Sequence, residues 1–200
     1  VPVSVPETLN LNSNNFRITD VENLVPVGDA AKIKANILAI KTLKALDKTD
    51  RLATKDEQEI LSHYVGWGGL KNIFKTWETP EHLKKHADEV KDLLTDAEWD
   101  SAAHSTLNAH FTSPEIIQNM WKNVEESGFK GGKILEPAGG IGHYIGLMPE
   151  SISKNSQIYT VECDSISSRI MGKLYPDAVN QHTFFEDAVI AKTFNNKLNT

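Results

Sequence analysis

Cysteine is almost absent: Cys163 stands alone among 200 residues, so no internal disulfide framework can hold this chain. A lone thiol fits a reducing compartment, and the cytoplasm is the expected location. Long apolar runs are missing too. No stretch approaches the ~20 residues of a membrane-spanning helix, and no signal-peptide pattern opens the chain. Positive charge is not in excess, since 21 Lys and Arg face 27 Asp and Glu for a formal charge of −6. That balance excludes a polyelectrolyte binder and confines any nucleic-acid surface to a local patch. Internal repeats and low-complexity tracts are also lacking. What remains is an ordinary globular composition, 40% hydrophobic and 24% charged, sufficient for one large domain or a domain with an appendage.

Residues 1–29 are rich in Pro, Asn and Ser and lack helical periodicity. They read as an extended leader packed around Phe16 and Ile18, with Pro26 disfavouring a helix. From Ala30 to Leu46 the stripe Ile33, Ile37, Ile40 predicts a helix. "TKDE" at Thr54 is a capping box, and Ile60, Leu61, Tyr64 and Val65 continue at helical spacing until "GWGG" at Gly66 stops it. Thr79 with Pro80 predicts a cap and first helical residue for a helix to Leu94. "TDAE" at Thr95 is a second capping box, for a helix to Thr106. Residues 30–108 therefore read as an all-helical region.

From residue 109 to residue 200 the pattern changes. Ser113 reads as a cap, Pro114 as a first helical residue, and Gly128 as the end of a helix whose face carries Ile116, Ile117, Met120, Trp121 and Val124. Strand 133–136, helix 142–148, strand 157–162, helix 165–174 and strand 179–185 follow. That alternation is the beginning of an open, largely parallel α/β sheet.

The segment "KILEPAGGIGHY" carries the chemistry. Glycines 139, 140 and 142 leave room for a ligand against bare backbone at a helix start. Twenty residues beyond Gly142, Glu162 closes the strand "QIYTVE". In Rossmann-type sites an acid at that place holds ribose hydroxyls. NAD, FAD and S-adenosylmethionine all use such an arrangement. Glu136, at the end of the first strand, would repel a pyrophosphate but can pair with a cation. S-adenosylmethionine carries an ammonium and a sulfonium, so the acid favours it.

"ILEPAGGIGHY" resembles the Asp/Glu-Pro-x-x-Gly-x-Gly motif of the amino-methyltransferases that methylate adenine N6 in DNA. "HFTSPEII" is similar to the Tyr/Phe-Thr-x-Pro segment that precedes it in that family, and "VECDSISSRIMGKLYPDA" to the family's second motif. With "YVGWGGL", the ordered set resembles the methylase segments of large methylase–helicase proteins of phages and conjugative elements, over residues 30–187. The resemblance implies an α/β fold: an N-terminal helical region followed by the first half of a Rossmann-like class I S-adenosylmethionine-dependent methyltransferase sheet. It implies that Glu136, Ala138, Gly140 and Gly142 surround the amino-acid end of the cofactor, with Phe111 and Thr112 beside its methionine. Glu162 would take the ribose, Cys163 the adenine edge, and Glu186 or Asp187 the adenine amino group. DNA and a C-terminal helicase region are the implied partners of the parent protein.

The family's catalytic Asn-Pro-Pro-aromatic motif, which holds the target amine and stacks the flipped base, does not occur. Asn195 and Asn196 run into Lys-Leu-Asn-Thr without a proline. With Val1 in place of a starting Met, this leads to the expectation of a piece of a longer polypeptide that has no catalytic residue of its own, binds cofactor weakly or not at all, and does not catalyse. An RNA or protein methyltransferase, or a non-catalytic DNA-binding or anti-restriction module on a methylase fold, stay open as alternatives. His82 and His86 lie four apart, but no third ligand is evident, so no metal site is expected. Cys163 has no signalled His partner and reads as packing. Trp67, Trp77, Trp99 and Trp121 read as core, and Lys34, Lys41 and Lys48 as a solvated stripe. His143 and Tyr144 read equally well as pocket lining or as structure.

Overall fold

The computed structural model describes residues 14–188 apart from 50, 76–78 and 108; Trp77, Asn195 and Asn196 lie outside the described residues. Four helices come first: α1 (Asp29–Asp47), α2 (Lys55–Ser62), α3 (Glu81–Leu93) and α4 (Asp96–Ser105). Both capping boxes form as the sequence predicts. The Thr54 hydroxyl accepts from Glu57 N–H while the Glu57 carboxylate accepts from Thr54 N–H, and Thr95 and Glu98 repeat the arrangement. Each pair satisfies two of the amide groups a helix start leaves free.

The sequence reading runs α2 through Val65, whereas it stops at Ser62. The cause is a long-range clamp. Asn36, fully buried on α1, donates from Nδ2 to Gly66 O at 2.6 Å and accepts Val65 N–H on Oδ1 at 2.9 Å. Those bonds replace the helical ones and draw the chain out of α2. Thr79 does not cap α3 either. Pro80 holds the cap position, and the Thr79 hydroxyl donates instead toward Asn72 O and Lys75 O.

α5 (Pro114–Glu126) begins at Pro114 as expected, but the Ser113 side chain makes no capping bond. Then follow β1 (Lys133–Glu136), α6 (His143–Gly146), α7 (Glu150–Ser153), β2 (Gln157–Glu162), α8 (Ser165–Leu174) and β3 (Val179–His182). The helix predicted over 142–148 is thus the single turn His143–Gly146, and a second single turn, Glu150–Ser153, follows after Leu147, Met148 and Pro149. Gly146 carries the reason: its carbonyl accepts Ile18 N–H at 3.1 Å, and Pro149 starts the next turn. The third strand ends at His182, not 185, and a 3-10 turn (Phe185–Asp187) follows.

The three strands form a parallel sheet in the order β1-β2-β3, with Glu136 opposite Thr160 and Glu162 opposite His182. The protein is therefore mixed α/β. One core serves both parts: Ile33, Ile37, Ile40 and Leu43 of α1 pack in the same cluster as Ile166, Ile170 and Met171 of α8. An ion network reinforces that seam, because Arg169 of α8 bonds Asp47 of α1 and Glu98 of α4, and Lys44 reaches Glu98 at 2.9 Å. The leader packs as expected where it is described. Phe16 and Ile18 are buried, and Phe16 N–H donates to Leu174 O at 2.7 Å. Trp67 and Trp121 are core residues and Trp99 packs against the core, as read. Among the described residues no helix is long and apolar enough to cross a membrane.

Candidate functional site

β1 and β2 are parallel neighbours, so their carboxyl ends, and the glutamates that close them, emerge on the same side of the sheet. Such ends are where open α/β sheets bind ligands. The glycine turn after β1 is pinned to β2 by Gly139 N–H donating to Val161 O at 3.1 Å. Gly140 takes φ 55° and Gly142 φ 87°, both in the region side chains avoid. Their surroundings differ. A Cβ on Gly142 would lie 2.5 Å from Tyr175 Cε2, so this glycine is required by packing beneath the turn. A Cβ on Gly140 would meet the Phe111 ring at 3.1 Å, on the side of the recess described next.

That recess, of about 70 Å³, lies between the turn and the segment His110–Thr112. Phe111, Thr112, Ala138, Gly140, His143 and Tyr144 are among its walls. It therefore brings together four of the predicted cofactor residues, while Glu136, Gly142, Glu162, Cys163, Glu186 and Asp187 are not on its lining. Phe111 is held by two rings: His143 meets it edge-on at 5.6 Å, and Tyr64 lies 6.4 Å away. His143 is buried, and burial lowers its pKa to about 4, with the His63 charge a smaller contribution against the bond to Ser62 O. The imidazole is thus neutral at pH 7 and serves as a wall.

The two glutamates have opposite environments. Glu162 is 9% exposed, and each of its carboxylate oxygens accepts one backbone N–H: Oε2 from Gly140 at 2.7 Å and Oε1 from Asp164 at 2.7 Å. It ties the glycine turn to the start of α8. Glu136 has no hydrogen bond or ion pair among the described residues, and burial alone raises its pKa to about 7. A carboxylate held out of water without a partner is costly, and a cationic ligand would relieve that cost.

Cys163 is exposed, and desolvation of the thiol, followed by the Glu162 charge, raises its pKa. The thiolate is disfavoured, so nothing activates it as a nucleophile. Glu186 and Asp187 sit exposed in the 3-10 turn after β3. No group of three or more potential metal ligands exists among the described residues. Lys41 pairs with Glu89, and Lys34 and Lys48 are exposed, as a solvated stripe requires.

Two features escape the sequence reading. Tyr64 is buried, and its phenol pKa is raised first by desolvation and then by the Asp164 charge, with Glu162 a smaller contribution; Ser101 of α4 donates to Asp164 just beyond β2 at 3.4 Å. The second is a larger cavity, about 330 Å³, on the other side of Phe111. The only sequence signal for either was "YVGWGGL", whose glycines mark a close backbone approach. The chain matches no family model, no curated protein and no solved structure.

Proposed function

We propose that this chain is the S-adenosylmethionine-binding part of an adenine-N6 DNA methyltransferase with a Rossmann-like sheet. The observation that carries this reading is Glu136: a half-buried carboxylate without a cation among the described residues, at the end of a parallel strand and beside a glycine turn. The sequential parallel order β1-β2-β3 is the half-sheet that doubly wound nucleotide-binding folds use. A pyrophosphate ligand would place like charges together at Glu136, whereas an ammonium offsets its desolvation.

Four of the proposed cofactor residues, Phe111, Thr112, Ala138 and Gly140, line one recess, and the reading assigns the rest around it. Glu136 holds the ammonium, Thr112 and Phe111 flank the methionine, and Ala138, Gly140 and Gly142 form the turn beside it. Glu162 keeps the turn shut with one lone pair on each oxygen and has others for ribose hydroxyls. Cys163 borders the adenine, and Glu186 or Asp187 accepts from its amino group. S-adenosylmethionine supplies an activated methyl group. The chain's own residues bind and orient its donor, and His143, Phe111 and Tyr144 keep water from the recess. The Asn-Pro-Pro-aromatic sequence with which that family holds the target amine does not occur in this sequence.

Calorimetry on the chain extended beyond Thr200 tests the reading, with S-adenosylmethionine and NAD as competing ligands. The expected result is binding of S-adenosylmethionine alone, weakened as pH falls through about 7, where Glu136 becomes neutral. A preference for NAD, or unchanged affinity in Glu162→Ala, sinks it.

A further inference from the structure

Phe111 has no polar group on its side chain, so packing alone fixes the ring. Tyr64 lies 6.4 Å from it and His143 meets it edge-on at 5.6 Å. Two glycines lay bare backbone against the same ring. A Cβ on Gly66 would lie 3.6 Å from Phe111 Cζ, and one on Gly140 3.1 Å from Phe111 Cε1. Of these neighbours only Gly140 belongs to the turn after β1. Tyr64 and Gly66 follow α2, and His143 Nε2 lies 3.3 Å from Ser62 O. The same loop grips the chain that leads into Phe111: Gly69 N–H donates to Thr106 O at 2.9 Å, and a Cβ on Gly68 would come within 2.1 Å of Ala109 O. Phe111 is also a wall of the 330 Å³ cavity, which is assembled from parts of residues 21–25, Lys32 of α1, residues 65–68 and residues 109–115. Its placement therefore shapes both compartments.

What holds the loop is Asn36. Its fully buried side chain donates to Gly66 O at 2.6 Å and accepts Val65 N–H at 2.9 Å. That pair of bonds demands a donor and an acceptor on one short side chain. Leucine offers neither, an ionised aspartate only accepts, and glutamine adds a methylene to a closely packed site. Gly66 takes φ 67°. Glycine meets no steric cost there and is equally free to leave, so the clamp and not local preference keeps the loop against the ring.

We propose that Asn36 is a positioning residue for the recess: through Val65 and Gly66 it fixes Phe111 against Gly140, and so sets how tightly the recess holds its ligand. The inference rests on the cofactor reading for the identity of that ligand alone. The helical region is then part of the binding site, although no residue of α1 to α4 lines the recess.

Proton NMR of the 200-residue chain reads the positioning without a ligand, because the α-protons of Gly66 and Gly140 feel the ring current of Phe111. In Asn36→Leu these shifts are expected to move toward those of Phe111→Leu. The Gly139 amide should meanwhile keep the slow exchange that its bond to Val161 O confers. In the chain extended beyond Thr200, the same variant should bind S-adenosylmethionine roughly two- to thirtyfold more weakly. Asn36→Asp supplies a rescue. Kept protonated at pH 5 by burial, its carboxyl can donate to Gly66 O and accept from Val65 N–H, so parent shifts are expected there and are lost at pH 8. Each is read against the parent chain at the same pH, since Glu136 titrates between those values. Should Asn36→Leu fail to fold, this pH comparison carries the test. A lower melting temperature with parent shifts at Gly140, parent affinity despite a displaced ring, or equal shifts at both pH values in Asn36→Asp overturns the inference. Displaced shifts in Asn36→Leu, with no binding of S-adenosylmethionine by the parent, would support the positioning of Phe111 and sink the cofactor reading.

Discussion

The carboxyl ends of β1 and β2 invite comparison because each closes with a glutamate, and the two have been given opposite tasks. At the end of β2, Glu162 accepts two backbone N–H groups and is part of the scaffold. At the end of β1, Glu136 accepts none among the described residues, and its pKa rises to about 7. The same side chain in two neighbouring places is in one case a structural tie and in the other a cost to the fold. A half-buried carboxylate without a partner among the described residues holds stability back wherever it is ionised.

The largest effect should come from breaking the tie. Glu162→Ala strands the part-buried Gly140 and Asp164 amides, and two unsatisfied donors cost up to roughly 2–6 kcal/mol, read as the urea midpoint. A loss below ~1 kcal/mol would mean that water replaces the carboxylate.

Glu136→Gln sharpens the contrast, because it should stabilise the protein. The folded pKa near 7 lies above the ordinary glutamate value of 4.5, so the native state binds more protons between those values and stability falls as pH rises through that window. At pH 8 the buried charge costs at most about 3 kcal/mol, taking 1.36 kcal/mol per unit. The variant should therefore unfold at higher temperature than the parent chain at pH 8 and at the same temperature near pH 4.5. An equal shift at both pH values would show that charge is not the cause.

His143 works in the other direction. Its folded pKa of about 4 lies below 6.5, so stability is present above pH 6.5 and lost as pH falls toward 4. Between pH 4.5 and 6.5 the two residues nearly cancel. Glu136→Gln should unmask the histidine and leave the fold acid-sensitive in that range, while His143→Gln in the same background should remove the sensitivity again. The smallest effect is expected at the turn itself. Gly140→Ala forces a Cβ to 3.1 Å from Phe111 at φ 55° and should cost about 1 kcal/mol. Phe111→Leu should recover part of that cost in a double-mutant cycle.

Local signals were legible in the sequence. Thr54 with Glu57 and Thr95 with Glu98 announced two helix starts by side-chain chemistry alone, and the spacing from Gly142 to Glu162 placed an acid at the end of the second strand. Long-range contacts were not legible. Asn36 shortens α2 from 30 positions away, and Gly142 answers to Tyr175 beneath the turn, for which no local pattern exists. The sequence marked Glu162 but not its bonds to Gly140 and Asp164, which need the folded turn. The larger cavity stayed hidden for the same reason, since no one of its four segments forms a motif by itself.

The described leader has a consequence for the order of folding. Asn15 accepts Asp177 N–H 162 positions away, and Gln58 donates to Lys173 O across 115. Most helical chains fold quickly because their contacts are local. Here the leader has no place to dock until α8 and the turn after it exist. The described leader residues Asn14 to Ile18 are thus among the last to be placed, although they precede every helix they pack against.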